Sequence, residues 1–370
     1  MVRVLHFMNS LQAAGLETIV VNYFKEMDKS KVMYDFCIIG SLDDNYYEEY
    51  LTGCGCRIYK INDKSIFKRS FKKKLKELLL CNRYDIIHID TGYFIKAVIA
   101  KIAKKCGVKN IVAHCHNMCD LSKNRFASAR KLLEPFYRKK ISSLCNYRFA
   151  CSRMSGEHMY VKDFTVIRNA IDLKKFQYNN DYRNELRNQY SISENTLIIG
   201  HVGRLAYPKN QLFLIKLIPY IKQFTTDFKF MFVGEGEDRQ YLETYVKDNN
   251  LEEYVLMVGN VGEEVYKYYS VFDIFVFPSF NEGLSLVNIE AQANGLNVIA
   301  SNTISAEHKV TDGYMFMPIE DTEQNFAAWC DMILSNFGKR RDNYQRLVEE
   351  GYDIKTEANK LQDLYLSMVK

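Results

Sequence analysis

Short apolar runs alternate with segments whose apolar residues recur at helical spacing along most of the chain. VRVLHFM, YDFCIIG and DIIHID are runs of the first kind, whereas ETIVVNYFKEM and YFIKAVIAKIAKKCG are segments of the second. Continuous apolar runs of this length are typical of strands buried on both faces, and the helices between them give the connections that parallel strands need. The pattern predicts an α/β fold with doubly wound parallel sheets.

The same alternation restarts after a polar segment. QYNNDYRNELRNQYSISENT is rich in asparagine, and it is followed by the apolar runs TLIIGHVG and FKFMFVG. We therefore predict two Rossmann-like domains, over residues 1–175 and 190–350, with a final amphipathic helix at about 355–370 that packs back on the first domain. Two such domains imply a cleft between them, and in parallel sheets ligands bind beyond the carboxyl ends of the strands.

Charge is divided unevenly between the two predicted domains. Residues 1–170 carry 30 Lys and Arg against 16 Asp and Glu, and the rest of the chain carries 20 against 29. A basic half suits an anionic ligand or membrane, and because its cations belong to no recognisable RNA- or DNA-binding module we expect no nucleic acid. The stretch KSIFKRSFKKKLKELLL, residues 64–80, holds seven cations and one acid. It predicts a basic amphipathic helix that either contacts an anionic membrane or packs on the sheet.

The composition also indicates the cellular compartment in which we expect the protein. No apolar run reaches the roughly 18 residues needed to span a bilayer, and the start MVRVLHFMNS lacks the apolar stretch of a signal peptide. The ten cysteines are scattered rather than arranged as a small disulfide scaffold, which favours reduced thiols. We expect a cytoplasmic protein.

Two strand-to-helix turns in the second domain carry residues suited to phosphate. In GHVGRLAYPKNQ, Gly203 ends a strand and Arg204 and Lys209 follow, so a bidentate guanidinium and an ammonium could hold an anion with several oxygens. An isolated pair of this kind would more often be a solvated turn. In FVGEGEDRQY, Gly234 and Gly236 would allow close approach of the backbone to another group, although glycine is common in such turns for geometry alone.

The stretch FPSFNEGLSLVNIEAQANG places two carboxylates eight residues apart. Glu282 precedes a helix that we predict from about Ser285, and Glu290 follows along that helix. Free amide groups at the helix start would bind a phosphate, which Gly283 would allow to approach closely. Glu282 could then accept hydrogen bonds from one hydroxyl-bearing part of a ligand and Glu290 from a ribose. The alternative is a helix with two acids and no ligand.

The segment HCHNMC, residues 114–119, raises the question of a metal. His114, His116 and Cys119 are ligand types that zinc accepts, but no second cluster such as C-x-x-C completes the set. We therefore predict one histidine in the cleft, His116, and no metal. The strand runs contain three more histidines, which we interpret as structural residues: His6, His88 and His201.

Taken together, these segments resemble the retaining glycosyltransferases of family 4, which have the GT-B fold. FPSFNEGLSLVNIE is similar to the E-x7-E motif of that family, GHVGRLAYPKN to its donor-phosphate segment, and VIRNAIDLKKF to its domain linker. YDIIHID and VAHCHN resemble segments of its acceptor domain. The resemblance spans nearly the whole chain and is strongest for transferases that build bacterial capsular polysaccharide and exopolysaccharide.

The resemblance implies a role for each position. Arg204 and Lys209 would hold the diphosphate of a nucleotide sugar, Glu282 would contact its sugar, and Glu290 would hold its ribose. His116 would lie in the cleft near the donor sugar. The other donor-binding positions are the amides near Gly283, Leu284 and Ser285 with the adjoining Leu286, the base-binding segment at Gly259 and Val261, and the turns at Gly15, Gly203 and Gly234. At the first of these turns the family commonly has several glycines, whereas LQAAGLET leaves Gly15 alone.

The resemblance also implies the reaction. A sugar would pass from a nucleotide sugar, expected to be a UDP-sugar, to a lipid-linked saccharide at the inner face of the plasma membrane, without a metal or other cofactor. Two alternatives stay open, a nucleotide-sugar 2-epimerase of the same fold and a non-catalytic nucleotide-sugar-binding scaffold. A NAD-dependent dehydrogenase is disfavoured, because no G-x-G-x-x-G follows the first strand.

Overall fold

A computed structural model describes residues 1–12, 15–40, 46–61, 63, 68–90, 93–116 and 127–370, although not the side chains of residues 93–95 and 127–133. The chain divides into two compact units. Unit 1 comprises Met1–Ile171 and Asp353–Lys370, and unit 2 comprises Asp172–Tyr352. Each unit is built on one parallel sheet.

Unit 1 has a seven-stranded sheet. Its strands are β1 (Val2–Met8), β2 (Val32–Ile38), β3 (Ile58–Lys60), β4 (Ile86–Ile89), β5 (Asn110–Cys115), β6 (Tyr147–Ala150) and β7 (Thr165–Val166), in the spatial order β3-β2-β1-β4-β5-β6-β7. Its helices within the first segment are α1 (Gly15–Glu26), α2 (Glu48–Gly53), α3 (Arg69–Cys81), α4 (Tyr93–Lys105), α5 (Ala127–Leu144) and α6 (Arg153–Met159). The central strands are buried along nearly their whole length, as expected when helices cover both faces of a parallel sheet.

Unit 2 has a six-stranded sheet. Its strands are β8 (Leu197–Val202), β9 (Phe228–Val233), β10 (Val255–Gly259), β11 (Ile274–Phe277), β12 (Val298–Ser301) and β13 (Tyr314–Met317), in the order β10-β9-β8-β11-β12-β13. Its helices are α7 (Asn180–Gln189), α8 (Gln211–Lys216), α9 (Ile218–Ile221), α10 (Arg239–Asp248), α11 (Val265–Val271), α12 (Leu286–Ala293), α13 (Glu323–Asn336) and α14 (Tyr344–Glu349).

The C-terminal helix α15 (Ile354–Met368) belongs to unit 1, where it packs on α1 and β2. The Asp353 side chain starts it by accepting a hydrogen bond from the Thr356 amide at 3.0 Å, which satisfies one free N–H of the first turn. Tyr365 is fully buried on its inner face. The end of the chain therefore completes the core of unit 1.

Two segments differ from their expected structure. The Asn-rich segment at which we placed the domain boundary contains α7, because Asn179 accepts hydrogen bonds from the amides of Asp181 and Tyr182 and so starts a helix. This helix belongs to unit 2 and is held there by ion pairs from Arg183 and Arg187 to Asp273. The segment NQLFLIKLIPYIKQF forms two short helices, since Pro219 lacks the N–H that a continuous helix would need.

The basic helix is α3, and residues 64–67 of the predicted stretch lie outside the described residues. Its apolar side chains Phe71, Leu75 and Leu79 are buried in the core of unit 1. Most of the apolar face is therefore covered by the protein, although Leu80 is 57% exposed, and the rest of the exposed surface of α3 is mainly basic. Within the described residues, no helix is both long enough and apolar enough to cross a membrane.

Candidate active site

The predicted glycine positions of unit 2 adjoin one another at the carboxyl edge of the sheet. Gly203 follows β8, Gly234 follows β9, and Gly259 ends β10. The Gly203 amide donates to the Val233 carbonyl at 3.0 Å, and the Gly234 amide donates to the Gly259 carbonyl at 2.8 Å. Three neighbouring turns thus begin at the edge where ligands of parallel sheets bind.

Gly234 and Gly236 are explained by the packing of these turns. Gly234 has a φ of +139°, and a Cβ atom there would lie 2.2 Å from the Gly203 carbonyl oxygen. At Gly236 a Cβ atom would lie 2.1 Å from the Leu205 carbonyl oxygen. The close approach that we expected is therefore made by the chain's own backbone.

The turn after β8 and the loop after β11 are bonded together. Lys209 Nζ forms an ion pair with Glu282 Oε1, and only 19% and 17% of the two side chains are exposed. The Phe280 amide donates to the Pro208 carbonyl at 2.9 Å, and Asn210 Nδ2 donates to the Pro278 carbonyl at 3.2 Å. The fold therefore brings together two of the predicted catalytic residues, which are 73 positions apart in the sequence.

Arg204 begins the same turn and is accessible. Its Nε donates to Glu237 Oε2 at 2.9 Å, yet 70% of the side chain is exposed. A pair this exposed contributes at most about 1 kcal/mol, so a stronger anion could draw the guanidinium away. His201 lies in β8, the strand that precedes this turn, and contacts the Val276 carbonyl and the Gln211 side-chain amide. Burial lowers the pKa of His201 to about 4. His201 is a neutral, buried residue that supports the turn.

The start of α12 has fewer free amides than we predicted. The Ser285 amide donates to His308 Nε2 at 2.9 Å, while His308 Nδ1 donates to the Ser305 carbonyl at 2.9 Å. Burial lowers the pKa of His308, which fits this neutral tautomer. Sequence reasoning missed His308, because a histidine 23 residues after Ser285 carries no local signal. The amide of Ser285 is thus occupied by the protein.

Glu290 is buried rather than solvated. It is 9% exposed, and Tyr269 Oη donates to its Oε2 at 2.6 Å. Burial raises the pKa of Glu290 to about 7, although the Tyr269 hydrogen bond and the charge of Lys175 act in the opposite direction. Burial and the neighbouring carboxylate raise the pKa of Tyr269 well above its ordinary value, so the phenol keeps its proton and donates. A carboxylate held in this way can accept hydrogen bonds from hydroxyl groups.

The remaining predicted positions of unit 2 lie next to Ser285 in the chain or just after β10. Leu284 is buried, whereas Gly283 and Leu286 are partly exposed beside Ser285. Val261 follows β10 and precedes a short 3-10 turn, Gly262–Glu264. Their contact with a nucleotide stays a prediction.

The predicted residues of unit 1 are His116 and Gly15. His116 follows β5, with its Nε2 2.8 Å from Asp90 Oδ1 and its Nδ1 3.3 Å from Asn169 Oδ1. Neither Asp90 nor Asn169 was among the predicted site residues. Gly15 opens α1 and is exposed, and a Cβ atom there would meet nothing within 4 Å among the described atoms. Packing against the described part of the chain therefore does not require glycine at this position.

Asp90 lies among four histidines. His6 Nδ1 is 2.8 Å from its Oδ2, and His88 Nε2 and His114 Nδ1 are 3.3 and 3.9 Å from its Oδ1. Burial alone would raise the pKa of Asp90, but the charges and hydrogen bonds of these histidines hold it well below its ordinary value. Burial lowers the pKa of His88 to about 4.

Comparison with known proteins gives the family. Residues 2–175 match the family described as Glycosyltransferase Family 4, and residues 182–352 match Glycosyl transferases group 1. The chain belongs to the glycosyltransferases. A putative glycosyltransferase of Bacillus subtilis, EpsF, is 29% identical to it over 98% of this chain and 96% of EpsF.

Further relatives share most of the length of this glycosyltransferase. The capsular polysaccharide biosynthesis glycosyltransferase CapH of Staphylococcus aureus is 25% identical over 99% of both chains. An Escherichia coli UDP-Gal:alpha-D-GlcNAc-diphosphoundecaprenol alpha-1,3-galactosyltransferase is 28% identical over 80% of this chain and 78% of its own. The Anabaena protein HepE (Alr3699), solved with UDP, has a TM-score of 0.80 at 16% identity and covers 99% of this chain and 100% of HepE. The GT-B fold predicted from the sequence is confirmed.

Replacing Glu290 by Gln should stabilise the enzyme at pH 8. The pKa of Glu290 is about 7 in the folded chain and about 4.5 in the unfolded chain. Between these two pH values the folded state keeps a proton that the unfolded state releases, so the free energy of unfolding falls as the pH rises from about 4.5 to about 7. We expect Glu290→Gln to raise the free energy of unfolding by about 1–3 kcal/mol at pH 8 and to change it little at about pH 4.5, measured by urea denaturation.

The matched control is Glu252→Gln, which changes an exposed acid of the same unit and should have no effect at either pH. If Glu290→Gln is less stable than the wild type at pH 8, the buried carboxylate is not the unfavourable group inferred here.

Proposed function

We propose that the enzyme is a retaining glycosyltransferase that moves a sugar from a UDP-sugar to a lipid-linked saccharide in the biosynthesis of a capsule or exopolysaccharide. The observation that supports this most is the turn after β8, where Lys209 pairs with Glu282 of the E-x7-E segment and Arg204 lies exposed. HepE was solved with UDP, and the E. coli relative is named for a UDP-Gal donor and a diphosphoundecaprenol-linked acceptor. The name of CapH, a capsular polysaccharide biosynthesis glycosyltransferase, supports the polysaccharide context.

The donor would bind across the bonded turn and loop. Its diphosphate would take hydrogen bonds from Arg204 and Lys209, which are the cations of that turn. In doing so it would compete with Glu282 for Lys209 Nζ, and Glu282 would then be released to accept hydrogen bonds from the sugar hydroxyls. Because the Ser285 amide is occupied by His308, the distal phosphate would rely on the amides of Gly283 and Leu284.

The nucleoside would lie along the same edge. Glu290, with Tyr269 fixing one of its oxygens, would accept hydrogen bonds from the ribose hydroxyls. The base would lie against the backbone at Gly259 and Val261. His116 is not assigned a donor contact, since Asp90 and Asn169 already lie beside both nitrogens of its ring.

The reaction would proceed with retention. The bond between the anomeric carbon and the phosphate oxygen breaks, and its electron pair leaves with UDP. The acceptor hydroxyl oxygen forms the new bond on the same face of the sugar and gives its proton to a departing phosphate oxygen. Arg204 and Lys209 would stabilise the charge that grows on the diphosphate, so we propose that no divalent metal is needed there.

A panel of nucleotide sugars tests the donor site. We expect slow hydrolysis of one UDP-sugar in the presence of EDTA, and faster UDP release when a lipid-linked acceptor is added. Lys209→Met and Glu282→Gln should each lower turnover by at least about 100-fold, because both act on the sugar or on the leaving group. UDP release is followed by a coupled assay, and proton NMR of the product gives its anomeric configuration.

Lys216→Met is the matched control for Lys209→Met. Lys216 is paired with Asp321 in the same unit, and its loss should leave turnover within about twofold. Variants of Lys209 and Glu282 that match the wild type would refute the site, and an inverted product would refute retention. Epimerised UDP-sugar without transfer would establish the 2-epimerase instead.

We also propose that α3 brings the enzyme to an anionic membrane surface by charge alone. Its apolar residues Phe71, Leu75 and Leu79 are buried in unit 1, so insertion of that face is disfavoured. Arg69, Lys72 and Lys76 are exposed, together with one apolar residue, Leu80. We expect binding to phosphatidylglycerol-containing vesicles at low salt and release at about 0.5 M NaCl, measured by co-sedimentation.

Lys72→Glu combined with Lys76→Glu should abolish that binding. The matched control is Lys247→Glu combined with Lys309→Glu, which makes the same change in net charge on exposed residues of unit 2. This double variant should bind the vesicles as the wild type does. Equal loss in both double variants would mean that net charge, and not α3, governs the interaction.

A further inference from the structure

A groove opens on the surface of unit 2 between the starts of α8 and α10 and the segment that leads into α13. Its volume is about 400 Å³, which lies within the range of about 300–1,000 Å³ that small-molecule sites occupy. Four of the residues that line it are apolar and buried: Ala206, Phe213, Leu242 and Ile319. The unit 2 residues proposed above for the donor, all of which the structure describes, are not among those that line the groove.

Three exposed aromatic side chains also line the groove. Tyr207 and Tyr241 are each more than half exposed, and Phe280 is exposed as well. The rings of Tyr207 and Phe280 are stacked, with centroids 5.1 Å apart and an angle of 29° between their planes. Aromatic rings that only stabilise a fold are normally buried, so rings exposed together indicate a surface that binds another molecule.

The backbone that carries the stacked pair is held in place. The Phe280 amide donates to the Pro208 carbonyl at 2.9 Å, and Thr303 Oγ1 donates to the Phe280 carbonyl at 2.9 Å. Tyr207 begins a short 3-10 turn, Tyr207–Lys209. The two rings therefore form a preorganised flat surface, and a ligand that binds it need not order the chain first.

Carboxylates lie beside the rings. The charged residues that line the groove are Lys216, Asp238, Glu320 and Asp321. Lys216 is paired with Asp321, and Asn325 Nδ2 donates to Glu320 Oε2 at 3.2 Å. Asp238 begins α10 without capping it by its side chain. Three acids against one cation disfavour phosphates and other anions, whereas carboxylate oxygens can accept hydrogen bonds from hydroxyl groups.

A neutral saccharide fits this combination of groups. One face of a pyranose ring presents C–H groups that pack on the electron-rich face of an aromatic ring, while the hydroxyls at its edge donate hydrogen bonds. We infer that the groove binds a neutral stretch of the saccharide chain that the enzyme extends, with sugar rings against Tyr207, Phe280 and Tyr241. Hydroxyl groups of the same rings donate to Asp238 and Glu320. The choice of occupant rests on the proposed function.

This site would act apart from the reacting atoms. A saccharide chain repeats its units, so one part of it can occupy the groove while another part is extended. A second attachment of this kind raises the effective concentration of chain ends at the enzyme, even where the groove itself binds weakly. The groove would therefore favour long acceptors over short ones.

Saturation-transfer NMR of the whole chain tests the groove. The probes are neutral tetrasaccharides of glucose, galactose, mannose and N-acetylglucosamine, with a hyaluronan tetrasaccharide as the anionic comparison. We expect a neutral probe to bind with a dissociation constant of about 1 mM or below, and hyaluronan to bind at least about tenfold more weakly. Tyr207→Ala combined with Tyr241→Ala should weaken binding of the neutral probe by at least about tenfold.

The matched control is Phe224→Ala combined with Phe337→Ala. It removes two exposed aromatic rings of unit 2 that do not line the groove, and it should leave binding within about twofold. Circular dichroism shows whether each variant is folded. Calorimetry measures UDP binding to the wild type separately.

The possible results distinguish this inference from the proposed function. Wild-type enzyme that binds UDP but none of the neutral probes would overturn the inference and leave the donor site unchallenged. Equal weakening by the two double variants would also overturn it, as would binding of tetramethylammonium but of no saccharide, which would identify a cation site. Saccharide binding that depends on Tyr207 and Tyr241, in an enzyme that does not bind UDP, would support the groove and contradict the proposed donor.

Discussion

Parallel pairing of the strands is the constraint on which both groups of candidate site residues depend. Because neighbouring strands run in the same direction, the turns that follow them gather at one edge of each sheet. In unit 2 this places the turn at 203–210 against the loop at 278–285, where Lys209 meets Glu282. In unit 1 it places the ends of β4 and β5 side by side, where Asp90 meets His116. Residues far apart in the sequence thereby become neighbours.

The enzyme places several charged groups where water is largely excluded, and it stabilises each in a different way. Glu282 is paired with a lysine, Asp90 is surrounded by imidazoles, and Glu290 has one phenol. Burial by itself would raise the pKa of both Asp90 and Glu290. The histidines around Asp90 outweigh burial and hold its pKa well below the ordinary value, whereas the single hydrogen bond to Glu290 does not, and the pKa of Glu290 rises to about 7. Ionised Glu290 is thus unfavourable for the folded chain. A residue of this kind is typical of a binding site, where interactions with a ligand matter more than stability.

Much of the fold could be predicted from the sequence, and less of the site. The alternation of apolar runs and helical segments gave both parallel sheets, and the spacing of Glu282 and Glu290 identified the E-x7-E segment. Partners from other strands could not be predicted, since Asp90, Asn169 and His308 carry no local signal. Gly234 and Gly236 were conspicuous, yet their reason, contact with the turn after β8, required the structure. The polar composition of α7 was misleading, because its arginines pair with a buried strand end rather than with water.

Hydrogen–deuterium exchange of the whole enzyme, with and without UDP, tests the central claim most directly. That claim is that the nucleotide binds at the bonded turn and loop of unit 2. We predict that UDP slows amide exchange in residues 203–210 and 281–290. In these segments backbone N–H groups would face the phosphates, and the Glu290 side chain would bind the ribose. Protection confined to unit 1, or none in either segment at saturating UDP, would contradict it.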